Sequence, residues 1–250
     1  MDKVQLKIAA LGALGGAALS VMIVFASAAL GAFPVNGEQV RNYLMAHPTI
    51  MLDMMTKVQL QQAADADKAQ NDIVAKLGQK ALLDPKVAYV TGPADAKNTL
   101  VEFFDYNCVH CRNSLAAMKK YYAEHKGDTR FAFVDFPIFG NMSDAAARAA
   151  IAARRQGDKY VAFSFALMDT KGAITSTDQI LAAAKAAGLD IPKLIADMKD
   201  PETDKTMAAA HLLAKRLKID GTPSFVGNGR FHAGEMTYEE LRDFMAGKDV

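Results

Sequence analysis

The chain has 250 residues, 51% of them apolar, 23% charged and 8% aromatic, with no tryptophan; this is the balance of a folded protein and excludes a disordered or collagen-like one. Its 29 basic and 28 acidic residues leave a net charge of +1 with no long run of either sign, which indicates no nucleic-acid surface and no acidic tail. Only two cysteines occur, which rules out a disulfide-rich scaffold and an all-cysteine zinc site, and both fall in Cys108-Val109-His110-Cys111.

From Ile8 to Phe33 no residue is charged, and only Ser20 and Ser27 interrupt the apolar and small residues. Lys3 and Lys7 precede this run and the next charge is Glu38, a bias that keeps the amino terminus cytoplasmic and sends the downstream chain across a membrane. Residues 1–35 therefore read as an amino-terminal membrane anchor or a signal peptide. The run exceeds the roughly 20 residues a spanning helix needs, while Ala26-Ser27-Ala28 offers a small-x-small cleavage site. Either way the rest of the chain is periplasmic or otherwise extracytoplasmic, anchored in the inner membrane through residues 8–33 if the segment is kept. Without Asp2, Lys3 and Lys7 the exported part is neutral.

Residues 36–83 read as helices broken at His47-Pro48, because proline disfavours a helical residue before it and suits the first turn of a new helix. Val40, Tyr43 and Leu44, then Met51, Met54, Met55 and Val58, then Ile73, Val74 and Leu77 recur at helical spacing. So short a segment cannot bury several stripes by itself, and a homo-oligomerisation role is expected for it. Met45, Met51, Met54 and Met55 with His47 also form a soft donor set of the kind copper takes, although methionines on a helical stripe serve more often as core or interface.

Leu83-Asp84-Pro85 marks a boundary, beyond which 84–250 reads as a mixed domain. Val87 to Val90, Thr99 to Tyr106 and Arg130 to Phe136 are strand-like, with a helix over Ser114 to Lys126 between the last two. From about 143 to 218 helices succeed one another without a credible strand, near 143–156, 158–170, 176–187, 191–200 and 202–218. Arg148, Arg154 and Arg155 read as the solvated face of the first. Ser224 to Val226 and Arg230 to His232 flank Gly227-Asn228-Gly229, a hairpin signal, and Thr237 with Glu240 caps a last helix. This order makes an α/β layer fold with a helical insertion.

Cys108 ends a strand and opens a helix, where unpaired backbone N–H groups and the positive end of the helix dipole favour a thiolate, and His110 adds a possible cation. Cys111 lies one turn on, close enough to attack a mixed disulfide on Cys108. An inert disulfide here would be a poor staple, since so short a loop constrains the unfolded chain little. A metal would need more ligands, and His47, His125, His211 and His232 stand at no ligand spacing from the pair. Dithiol exchange is the chemistry this spacing suits best, ahead of a structural disulfide or a metal site.

Val101-Glu102-Phe103-Phe104-Asp105-Tyr106-Asn107-Cys108-Val109-His110-Cys111 resembles the active-site strand and helix start of the DsbA-like thioredoxin-fold proteins, and Gly221-Thr222-Pro223-Ser224-Phe225 resembles their cis-proline loop. The extra helical segment resembles the ScsC-like (suppressor of copper sensitivity) members. The resemblance implies a thioredoxin fold with an inserted helical domain. It makes Cys108 the nucleophile, Cys111 the resolving thiol, His110 a tuner of the thiolate, Pro223 a cis residue and Thr222 a presenter of backbone to a bound polypeptide. It also makes Glu102 a proton carrier for Cys111, where the residue alone would pass as a strand-edge charge. Implied partners are cysteine-containing client proteins and a membrane redox partner, with no nucleic acid, organic cofactor or metal. Val109 replaces the proline of the commonest oxidase, and threonine before the cis-proline resembles isomerase-like members. The reading therefore leans to a disulfide isomerase, with a dedicated dithiol oxidase of DsbA type, or a non-catalytic copper-binding or holdase protein, as alternatives.

Overall fold

The computed structural model describes residues 37–250. The anchor or signal segment over 1–35, with its passage through residues 8–33, lies outside them. Among the described residues no helix is long and apolar enough to cross a membrane.

The chain divides into two compact units after Gln62. In the first, α1 (Gly37–Ala46) ends where Pro48 interrupts the helix, and α2 (Thr49–Leu77) begins. Val40, Tyr43, Met51, Met54, Met55 and Val58 are each between 42% and 57% exposed, and Leu44 is half-buried.

The second unit starts inside α2, earlier than the 83/84 boundary suggested by the sequence. Val74 is buried with Leu213, Leu217 and Val226, and the Asn71 side-chain oxygen accepts a 2.7 Å bond from the Phe231 backbone N–H. A short α3 (Gln79–Leu82) comes next, and then the sheet. Its strands are β1 (Tyr89–Thr91), β2 (Asn98–Phe104), β3 (Thr129–Asp135), β4 (Ser224–Gly227) and β5 (Arg230–Ala233), in the order β1-β3-β2-β4-β5. β2 runs parallel to β3 and antiparallel to β4, and both outer pairings are antiparallel. A central strand is covered on both faces, and its alternation sends Leu100, Glu102 and Phe104 to one face and Val101 and Phe103 to the other.

On the first face lies α4 (Val109–His125) with most of the helical block inserted between β3 and β4, while the last helix of that block buries Ala210, Leu213 and Ala214 with Val101 and Phe103 on the second. The block comprises α5 (Asn141–Ala153), a 3₁₀ turn, α6 (Lys159–Met168), α7 (Thr177–Ala186), α8 (Ile191–Met198) and α9 (Pro201–Arg216). Sequence punctuation located these helices because the caps are local. Ser176 and Gln179 form a reciprocal capping box, and Asp200 accepts from the Glu202 N–H with Pro201 in the first turn. One expectation fails: Arg154 is not on a solvated face. The helix tightens to 3₁₀ at that point and turns the guanidinium inward, leaving its side chain 12% exposed with Nη2 2.6 Å from the buried Asp135 carboxylate, while Arg148 and Arg155 pair with Asp204 and Asp200 nearer the surface. After the β4–β5 hairpin, whose turn holds Asn228 and Gly229 at positive φ, α10 (Tyr238–Met245) packs on the sheet. Gly227 permits that approach, since a Cβ there would fall 2.5 Å from the Phe244 ring.

Candidate functional site

β2 ends at Phe104, and the next four residues turn the chain into α4. Asp105 is buried and organises the turn: one oxygen accepts from the Asn107 N–H at 2.7 Å, the other from the Ile138 and Phe139 N–H groups at 2.6 and 3.0 Å. Asn107 makes a two-way bond with the Ile174 backbone, and Arg112 donates to the carbonyls of Met168 and Thr170. The turn is thus held by the helical block on one side and by the segment after β3 on the other. An Asp two residues before a donor N–H is a recognised turn pattern and could have been read from sequence; the distant partners could not.

Cys108 caps α4 with an extended backbone, and both cysteines are reduced and buried. The Cys108 thiol donates to the Thr222 carbonyl at 3.1 Å. The Thr222–Pro223 bond is cis, and the Thr222 hydroxyl is buried with no partner in this thiol state. When Cys108 ionises it stops donating and starts accepting, so the Cys111 thiol, the Thr222 hydroxyl and the N–H groups of Cys111 and His110 can all serve its charge. Led by the Cys111 hydrogen bond and against the cost of burial, they bring the Cys108 thiol down to about 5. Cys111 is pushed strongly up, first by burial and then because it serves as donor to Cys108. Two cysteines one turn apart therefore have opposed acidities.

His110 is exposed. Its Nδ1 is paired with Glu235 at 3.1 Å, and that carboxylate also accepts from Asn113 at 2.8 Å, so the imidazole is engaged by the loop before α10 while the His110 backbone N–H serves Cys108. Glu235 carried no signal in the sequence. Glu102 lies on the α4 face of β2 and is buried, and burial raises its carboxyl to about 8. With Cys111 it lines a small internal cavity that Ser164 and Met168 of α6 close from the far side.

The structure therefore brings Cys108, Cys111, Thr222 and Pro223 to one place, with Glu102 behind Cys111 and His110 at the rim. Open cavities of about 560 Å³ beside Asn113 and Glu235 and about 340 Å³ beside Thr222 and Pro223 flank it. Met51, Met54 and Met55 line a patch of the first unit, and the His47 ring stacks on Tyr43. Among the described residues no three His, Cys, Asp or Glu side chains are placed to hold one metal ion.

The family model described as Thioredoxin matches residues 85–246, and that of the copper resistance protein ScsC N-terminal domain matches residues 37–65. A thioredoxin-like oxidoreductase from Silicibacter pomeroyi is 39% identical with a TM-score of 0.61, over 69% of this chain and 99% of that one. BcfH from Salmonella enterica Typhimurium is 26% identical with a TM-score of 0.72, over 89% of this chain and 98% of that one. A periplasmic thioredoxin-like protein from Salmonella enterica serovar Typhimurium is 25% identical with a TM-score of 0.61, over 68% of this chain and 94% of that one. Among curated relatives, the Na(+)/H(+) antiporter NhaA of Herminiimonas arsenicoxydans is 28% identical over 59% of this chain, which spans only 23% of that protein's length. The probable disulfide bond formation protein D of Bacillus anthracis is 28% identical over 55% of this chain and 68% of its own length. With a family model covering most of the chain and a 39% identical solved relative covered almost end to end, this chain belongs to the thioredoxin family, among its DsbA-like and ScsC-like oxidoreductases.

Proposed function

We propose that the chain is an extracytoplasmic protein thiol–disulfide oxidoreductase, leaning to disulfide isomerisation, whose clients are cysteine-containing proteins. The observation that carries this reading is the placement of the pair: Cys108 at the start of α4, 3.1 Å from the Thr222 carbonyl of the cis Thr222–Pro223 bond, with Cys111 buried one turn on. That arrangement brings the Cys108 thiol down to about 5 and pushes Cys111 up. At neutral pH Cys108 is a thiolate that attacks a client disulfide, forming a mixed disulfide and releasing one client thiolate. Cys111, once deprotonated, attacks the Cys108 sulfur, closes the pair and releases the second client thiol. In the opposite direction a client thiolate attacks Cys108 and Cys111 leaves. Glu102, held near 8, gives the leaving Cys111 thiolate its proton and takes it back in the resolving direction. Thr222 and Pro223 offer backbone to the client beside the flanking cavities, and His110 supports the charge at Cys108. The pair itself carries the electrons, so no organic cofactor is required.

The exposed Met51, Met54, Met55 and Val58 stripe supports oligomerisation through residues 36–83, and the apolar run at 8–33 together with the periplasmic solved relative supports an extracytoplasmic site. A membrane redox partner would return the pair to its working state. A dedicated oxidase is the second reading, favoured by the depressed Cys108 thiol, because a stable thiolate stabilises the reduced pair and makes the disulfide more oxidising. Refolding of scrambled and of reduced ribonuclease separates the two, with the full chain, Cys108→Ser and a chain from residue 63 compared. Recovery from scrambled substrate that requires residues before 63 supports the isomerase, and activity confined to reduced substrate supports the oxidase. A folded full chain inactive in both assays refutes the enzyme.

A further inference from the structure

We infer that Ser164, contributed by the inserted helical block, is a positioning residue that orients one water between Glu102 and Cys111 and so sets the rate at which the resolving thiol exchanges its proton. The inference rests on the thiol–disulfide reading above. Ser164 Oγ lies 3.1 Å from the Tyr106 hydroxyl, which lies 2.7 Å from Asp135 Oδ1. All three side chains are buried, and Asp135 is fixed by Arg154 at 2.6 Å and by the Tyr160 hydroxyl at 3.1 Å.

Proton counting gives this chain a direction. Asp135 is ion-paired and accepts from both tyrosines, so the single Tyr106 proton is committed to it. The Tyr106 oxygen can therefore only accept from Ser164, whose own proton is committed in turn. Ser164 lines a cavity with Glu102 and Cys111, and with its proton committed its hydroxyl can serve a group there only as an acceptor. That cavity is about 10 Å³, the lower limit for one water, and although apolar side chains make most of its wall, Glu102, Cys111 and Ser164 bring to it the two to four polar partners a water needs. A water there gives one hydrogen to Ser164 and has one left. As Cys111 leaves the broken disulfide with the electron pair, the water passes it that hydrogen and receives the Glu102 carboxyl proton, leaving a carboxylate. In the resolving direction Cys111 gives its proton to the water, the water gives one to the carboxylate, and the new thiolate attacks Cys108. Because Ser164 holds the other hydrogen, one proton moves per event and the water is restored.

The test uses the reduced full chain in detergent and excess glutathione disulfide, with acid quenching. One glutathione leaves as Cys108 forms the mixed disulfide, and a second leaves as Cys111 resolves it. Ser164→Ala is expected to slow the second release on the order of tenfold at pH 7 and shift its pH profile. The first release and the Cys108 thiolate midpoint at 240 nm stay put, and Ser164→Thr, which keeps the hydroxyl, recovers the rate. Tyr106→Phe, which removes the acceptor for the Ser164 proton, should slow the second release too. An unchanged second release in Ser164→Ala overturns the inference, as does a slowing matched by an equal change in the first release or in the thiolate midpoint. A wild-type chain that never releases the second glutathione refutes the resolving role of Cys111, and the positioning role with it.

Discussion

The acidity of Cys108 depends most on one hydrogen bond from Cys111, and removing that donor is a direct perturbation. Cys111→Ala deletes it and leaves the Thr222 hydroxyl and two backbone N–H groups in place, whereas Cys111→Ser keeps an O–H at the same position. A hydrogen bond to a charged group contributes about 1.5–3 kcal/mol, which corresponds to about 1–2 pH units at 1.36 kcal/mol per unit. The thiolate midpoint should therefore move from about 5 to roughly 6–7 in Cys111→Ala and stay lower in Cys111→Ser. Because the chain has no other cysteine, the 240 nm absorbance of either variant reports Cys108 alone. Alkylation by iodoacetamide across the same pH range should track the same midpoints. If Cys111→Ala titrates with Cys111→Ser at about 5, the backbone donors and Thr222 suffice, and the pairing of the two thiols is not what activates Cys108.

The remaining expectations concern Glu102, the buried ion pair and the exposed stripe. Glu102 has its folded value raised from 4.5 to about 8, so the stability of the neutral buried acid is fully present below pH 4.5 and is lost as pH rises through 8. Glu102→Gln should remove that loss, gaining on the order of a few kcal/mol over wild type at pH 9 relative to pH 4 in urea denaturation of the disulfide form; parallel pH curves would refute the burial argument. Arg154→Met leaves Asp135 buried with tyrosine hydroxyls only and should cost about 3–5 kcal/mol in the same assay. A loss under about 1 kcal/mol would mean that the pair contributes no more than a surface bridge. Met51→Glu with Met55→Glu should reduce the assembled mass to that of one chain in analytical ultracentrifugation, and an unchanged mass would assign oligomerisation elsewhere or to none.

What could be read from the sequence was what neighbours along the chain decide. The Cys108 and Cys111 spacing, the capping residues Ser176 and Thr237, the break at Pro48 and the hairpin at Asn228-Gly229 each act within a few residues, so pattern and propensity located them. The alternation of β2 suggested a carboxylate among apolar residues, and only the family resemblance, not the local pattern, tied Glu102 to Cys111. Their proximity depends on which face α4 and α6 cover, and hence on packing across more than sixty residues of chain. Arg154 shows the limit most plainly. An arginine on an alanine-rich helix has no local reason to point inward, and its inward turn exists because β3 ends at a buried Asp135 whose charge needs a counterion.

Sequence by itself determined the chemistry on offer: two thiols one turn apart at a helix start, a proline loop far along the chain, and nothing else able to form a disulfide. Tertiary structure alone decided how that chemistry is set. The acidity of a thiol is set by the donors and the burial around it, and for Cys108 one of those donors, Thr222, lies 114 residues away in the chain.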